Sequence, residues 1–214
     1  MISFRTDLVC FLCFSALLWA GCGPSSMGLS GAKKAKAVVV GFANGDRTFA
    51  LTQNRYWSSA QDDENLFVEN SAVGTGVSPV WLTKAVPTNF EFSVEAQLTK
   101  EGLDGGWGVE FGAQDRKYAY RLLVYGSGRF CLDRWFGAAP EFIHCVPKQP
   151  QVNTGTATNV ITVKVQGQTI SVSVNDQEIV AFKDERYKPG ELALAVGGAG
   201  TRVRFLDMYL LELP

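Results

Sequence analysis

Residues 90–98 read FEFSVEAQL, and the alternation of their side chains decides how the rest of the chain is parsed. Successive side chains of an extended strand point to opposite faces. Phe90, Phe92, Val94, Ala96 and Leu98 therefore share one side, while Glu91, Ser93, Glu95 and Gln97 share the other. The pattern predicts a strand that is apolar toward a core and wet on its outside. It also puts two carboxylates and a hydroxyl on one exposed face, which is either a place for chemistry or the solvated side of a sheet.

The same period of two recurs on both sides of this stretch. LFVEN, PVWLTK, WGVEFG, YAYRLLVY, RFCLDRW, FIHCV, NVITVKVQ, TISVSVN, EIVAF, ELALAV and VRFLDMYLLEL all read as short strands, separated by Gly, Pro, Asn and Asp. No helical period of useful length interrupts them. Many short strands at close spacing predict an all-β, two-sheet antiparallel sandwich. A two-residue turn at Gly167-Gln168 pairs Val165 with Ile170 and Val163 with Val172, and another at Asn175-Asp176 pairs Val172 with Ile179. Those three strands leave Thr162, Lys164, Ser171, Ser173 and Glu178 on a solvated outer side.

Turn chemistry also orders a second group of strands. In YGSGR, Gly128 suits the left-handed position of a three-residue loop, so Tyr125 faces Arg129 and Arg121 faces Asp133. A loop at 114–117 places Glu110 opposite Arg121. A loop at 136–140 pairs Trp135 with Glu141 and brings Cys131 opposite Cys145, within reach of a disulfide. If EGLDGG is a long hairpin turn, Glu95 lies opposite Glu110. The expected polar row is then Glu95, Glu110, Arg121 and Asp133, with Trp135 one step away. Such a row is either a surface ladder of ion pairs contributing about 0–1 kcal/mol each, or a groove in which carboxylates and Arg121 bind sugar hydroxyls beside the Trp135 ring.

The ends of the chain carry different information. Residues 1–21 hold Arg5 and the apolar run LVCFLCFSALLW, a secretory leader in length and character. The leader closes on Ala20-Gly21-Cys22, which resembles the lipobox of bacterial lipoproteins. That resemblance implies cleavage before Cys22, its acylation, and an anchor in the bacterial envelope, with Gly23 pointing to the outer membrane. Residues 22–47 are expected to be a flexible tether and 48–214 the sandwich domain. Cys10 and Cys13 depart with the leader, so Cys131 and Cys145 are left as a disulfide pair suited to an exported protein. His144 is the one histidine, which removes histidine-based metal clusters and triads from consideration. Twenty Lys and Arg offset 21 Asp and Glu, and no basic stripe predicts a nucleic-acid partner.

The order of NFEFSVEAQL, GWGVEFG, DRKYAYRLLVYGSGRFCL, NVITVKVQGQTISVSVNDQEI, YKPGELALAV and VRFLDMYL resembles the concanavalin A-like lectin/glucanase jelly roll, and within it laminin-G-like and keto-disaccharide hydrolase-type domains. The resemblance spans about residues 48–213. It implies a jelly-roll sandwich on which many relatives bind or cut carbohydrate, and it leaves the chemistry of this chain open. Glycoside hydrolases of family sixteen carry Glu-x-Asp-x-Glu on one strand. Glu91 and Glu95 have that spacing, but Ser93 replaces the central Asp. Three alternatives follow: a non-catalytic module that binds a glycan or envelope protein through Glu95, Glu110, Arg121, Asp133 and Trp135, a glycosidase using Glu91 and Glu95, or a structural lipoprotein without a small ligand. No cofactor or metal is assigned, although relatives often bind calcium in loops and Asp62, Asp63 and Glu64 offer hard oxygen ligands. His144 is expected to share a packed side with Phe142 and Val146, and Tyr118 and Tyr120 to be core.

Overall fold

The computed structural model describes residues 34–42, 48–72, 76–115, 118–136 and 139–214. The expected leader, the lipid site Cys22 and all of the tether except 34–42 lie outside the described residues. Every element assigned is a strand: β1 Lys36–Val40, β2 Trp57–Gln61, β3 Leu66–Asn70, β4 Val77–Trp81, β5 Phe90–Lys100, β6 Gly106–Gln114, β7 Tyr118–Tyr125, β8 Phe130–Phe136, β9 Pro140–Val146, β10 Asn159–Gln166, β11 Thr169–Val174, β12 Gln177–Lys183, β13 Glu191–Gly197 and β14 Thr201–Glu212. They form two antiparallel sheets, as the alternation predicts. One has the order β12-β11-β10-β5-β14-β3-β2, with β1 beside the far half of β14; the other runs β4-β13-β6-β7-β8-β9.

Strand β5 shows why the sandwich forms. Phe90, Phe92, Val94, Ala96 and Leu98 are all buried against the facing sheet, which contributes Trp107, Val109, Phe111, Tyr120, Leu122 and Phe130. Trp107 meets Phe205 edge to face across the core at 5.8 Å. Burying each large apolar side chain contributes roughly 1.5–3 kcal/mol, and this repeated term drives the two sheets together. The outer side of β5 is tied rather than merely wet. Ser93 Oγ lies 3.0 Å from Thr162 Oγ1, and the Tyr209 hydroxyl donates to Glu91 Oε1 at 2.9 Å.

Most turn registers are as expected. Val165 faces Ile170 and Val163 faces Val172, and Gly128 takes φ 87° in the three-residue loop. Asn175 and Asp176 hold positive φ in the β11–β12 turn. Asn175 adopts it because its short amide bonds the backbone, accepting from Val160 N at 2.9 Å and donating to Gln151 O at 2.8 Å. Two registers differ by a bulge. Val172 faces Val180 instead of Ile179, and Trp135 faces Pro140 instead of Glu141. The closing strand β14 carries another shift between Phe205 and Asp207, which lets Leu206 sit outside an otherwise alternating run.

Two expectations are overturned. Lys36–Val40, expected to belong to the tether, is strand β1, paired with β14 from Tyr209 to Glu212. Its Val-Val-Val run favours a strand over a linker. More consequentially, β5 and β6 are not a hairpin. The Leu103 amide donates to Ala199 O at 3.1 Å, and Gly102 N donates to Thr201 Oγ1 at 3.1 Å, as residues 101–105 cross from one sheet to the other. A Cβ on Gly102 would stand 2.0 Å from the Ala199 carbonyl oxygen, so the crossing needs glycine there. Glu95 accordingly sits opposite Val160 and Asp207 in the eight-stranded sheet, away from Glu110.

Candidate functional site

Without Glu95, the rest of the expected row is intact. On the outer face of the six-stranded sheet, Glu110 pairs with Arg121, and Arg121 with Asp133, across β6, β7 and β8. Strand alternation puts them there, because Trp107, Val109 and Phe111, then Tyr120, Leu122 and Val124, take the core side. Arg121 Nε donates to Glu110 Oε1 at 2.7 Å, and the Arg121 guanidinium lies 4.9 Å from the centre of the Trp135 ring. Both acids are nearly covered, Glu110 being 5% and Asp133 8% exposed.

The two carboxyls are not equivalent. Arg121 is committed to Glu110. Burial pushes the Asp133 carboxyl up to about 6; Arg121 and the Trp135 indole pull against this, and the Glu110 charge adds to it. The indole leans toward Asp133 without completing a well-formed hydrogen bond: Trp135 Nε1 and Asp133 Oδ1 are both buried and unpartnered. A carboxyl held near 6 can exchange a proton at neutral pH.

The bulge in β9 adds a residue that alternation assigned to the other side. The register slips between Leu132 and Asp133, so His144 pairs with Leu132 while Phe142 pairs with Asp133. His144 packs edge to face on Phe130 at 5.7 Å. Phe142 instead stands on the outer face beside Trp135 and is 63% exposed. At the other end of the face, the Tyr125 ring lies over Gly106, where a Cβ would come within 2.8 Å, and Arg129 stacks on Tyr125 at 3.6 Å while binding Asp104 at 2.7 Å. The Cys131–Cys145 disulfide forms as expected and clamps β8 to β9 next to Asp133.

The candidate glycosidase pair shares one outer face, as alternation predicts, but on the other sheet. Glu91 and Glu95 sit on the outside of the eight-stranded sheet, Glu91 accepting from Tyr209, and neither lines a described cavity. Asp62 spends its Oδ1 on the Glu64 and Asn65 amides at 2.9 and 2.7 Å, which hold its carboxyl below the usual range. Among the described residues no cluster of His, Cys, Asp and Glu is arranged to hold a metal ion.

Sequence patterns also missed one end of the sandwich. Tyr118, the first residue of β7, stacks on Phe136, the last of β8, at 6.1 Å, and the two are 40% and 41% exposed around a cavity of about 350 Å³. Tyr118 is therefore not core, whereas Tyr120 is. Alternation gives the side of a strand but not where the facing sheet ends. Behind this mouth, the Asp184 carboxylate accepts from the Tyr120 hydroxyl at 2.7 Å and pairs with Arg134, which also binds Glu141.

A family model described as a 3-keto-alpha-glucoside-1,2-lyase-like domain matches residues 42–210. No curated protein matches the sequence. Among solved structures, the chain is similar to the carbohydrate binding module CBM66 from Bacillus subtilis, at 15% identity and TM-score 0.51, over 84% of this chain and 96% of that one. It is similar to a Bacillus subtilis protein with a galectin-like fold, at 11% identity and TM-score 0.61, over 86% and 100%. A prokaryotic beta-1,3-1,4-glucanase (lichenase) from a mouse hindgut metagenome gives 9% identity and TM-score 0.55, over 85% and 99%. At these identities the likeness concerns the fold.

Proposed function

Because the chain belongs to the 3-keto-alpha-glucoside-1,2-lyase-like domain family, we propose that the outer face of its six-stranded sheet is a carbohydrate site, acting as a non-catalytic binding module. The observation that carries this is the coincidence on one face of aromatic surface, the exposed Phe142 and the half-buried Trp135, with a charged row in which a half-buried Arg121 stands between the buried Glu110 and Asp133. A sugar ring presents apolar C–H groups on one face and hydroxyls around its edge. Aromatic faces take the first, while a guanidinium and carboxylates take the second. Structural likeness to a carbohydrate binding module supports the same reading. Purified full chain is expected to retain a subset of glycans on an array, with at least tenfold loss in Trp135→Ala and in Arg121→Ala. Retention unchanged in both variants removes the site from this face.

A second reading is favoured by the setting of Asp133, a buried carboxyl beside the Trp135 indole whose Oδ1 has no hydrogen-bond partner and which burial pushes up to about 6. In a 3-keto-α-glucoside the carbonyl acidifies the hydrogen on C2. A base that removes this proton lets the electron pair form a C1–C2 double bond as the C1–O bond breaks, and the departing oxygen takes up a proton. Asp133 is the base in this scheme. Incubation with a 3-keto-α-glucoside then releases the aglycone, and Asp133→Asn lowers the rate at least a hundredfold, within the usual contribution of general base catalysis. No release by the wild-type chain discards the scheme.

We place the protein at the bacterial envelope, exported through residues 1–21 and held by lipid on Cys22. The disulfide between Cys131 and Cys145 supports an oxidising compartment. Mass spectrometry of the membrane-extracted protein is expected to find an acylated Cys22 at the mature N-terminus; an unmodified Cys22 there contradicts the anchor.

A further inference from the structure

The registers of the six-stranded sheet line its outer face up in rows. One row runs Trp81, Ala193, Glu110, Arg121, Asp133 and Phe142 across β4, β13, β6, β7, β8 and β9. The next row, from Pro79 on β4 to Cys145 on β9, carries no charge. Beyond it the face ends at Tyr125, where Arg129 is paired with Asp104 at 2.7 Å. Arg134 and Glu141 pair with each other on the opposite side of β8 and β9. The charge of the face is therefore set by the row that holds Glu110, Arg121 and Asp133.

That row has two carboxylates and one guanidinium. Arg121 Nε donates to Glu110 Oε1 at 2.7 Å, which leaves Asp133 without a bonded cation. Asp133 is buried, and its Oδ1 has no hydrogen-bond partner. The charged groups that act on it are Arg121 and Glu110, and Tyr125 faces it from farther along β7. From β9 it meets Phe142 and the disulfide, neither of which titrates. Above about pH 6 this carboxyl ionises, and the row then carries one negative charge in excess. A buried charge with no bonded counter-ion is poorly screened by water, so its field reaches a sugar lying over Trp135 and Phe142. A carboxylate or sulfate ester on that sugar meets like charge there while losing hydration. A neutral hydroxyl instead donates to a carboxylate oxygen.

Resting on the sheet-face reading above, we propose that Asp133 sets the specificity of that site, admitting neutral glycans and excluding those that carry a carboxylate or a sulfate ester. The test compares matched pairs on the full chain: glucose- and galactose-based oligosaccharides, and the same oligosaccharides bearing one sulfate ester, which stays ionised at every pH used. At pH 8 the wild-type chain is expected to bind the neutral member of the tightest-binding pair at least tenfold more tightly than the sulfated one. The gap should shrink below threefold in Asp133→Asn at pH 8, and in the wild-type chain at pH 5, where Asp133 is mostly protonated. Glu178→Gln removes an exposed carboxylate from β12 in the other sheet and should leave the gap unchanged. Three results overturn the inference: equal or tighter binding of the sulfated member at pH 8, a gap that persists in Asp133→Asn, or the same shrinkage in Glu178→Gln. Binding of neither member, or neutral binding unaltered by both Trp135→Ala and Arg121→Ala, overturns the sheet-face reading itself and this inference with it.

Discussion

Asp133 concentrates the tension in this molecule. Its neighbours Leu132 and Phe130 draw β8 into the core, and alternation turns Asp133 onto the opposite face, where it is nonetheless covered. Unfolded, an aspartate titrates near 3.9; folded, this one titrates at about 6. Between those pH values the native state binds more protons than the unfolded state, so this group's contribution to stability falls as pH rises from about 4 to about 6 and is flat outside that window. The cost above pH 6 is on the order of 1–3 kcal/mol. Asp133→Asn should remove that fall and raise stability at pH 8 by a similar amount, read from urea unfolding at pH 4 and pH 8. A variant that keeps the wild-type pH slope assigns it to another group.

At the level of strands, what could be read from sequence was what depends on local chemistry. Gly128 at its turn, the facing of Arg121 with Asp133 and the opposition of Cys131 with Cys145 all follow from turn types and a period of two. Long-range placement did not follow. EGLDGG looks like a hairpin turn, yet Gly102 docks on Ala199 and carries the chain into the other sheet, so Glu95 and Glu110 part. Nor does alternation announce a bulge, and one inserted residue near Ile143 was enough to send Phe142 to the outer face. Gly102→Ala is expected to destabilise the fold by more than 2 kcal/mol in urea unfolding, since backbone rather than a flexible side chain blocks the added carbon; a loss under 0.5 kcal/mol would show that the crossing yields. Replacing Cys131 and Cys145 together by Ser should cost about 1–3 kcal/mol, less than an isolated loop because β8 and β9 are already paired. Intact binding of the array-selected glycan by the refolded variant would show that the clamp stabilises without shaping the site.

For the whole molecule, the two sheets turn different surfaces outward. The eight-stranded sheet turns outward a surface knitted by Ser93, Thr162, Tyr209 and Glu91, so the polar side of residues 90–98 is bonded to its neighbours in the sheet. The six-stranded sheet turns outward the charged row with its aromatic neighbours, and its end opens into the mouth at Tyr118 and Phe136. The most direct test of the sheet-face site is hydroxyl-radical footprinting of the full chain with and without the glycan selected on the array. Severalfold protection of Trp135 and Phe142 at saturation is the predicted result. Oxidation of both residues at the same rate with and without bound glycan would contradict it.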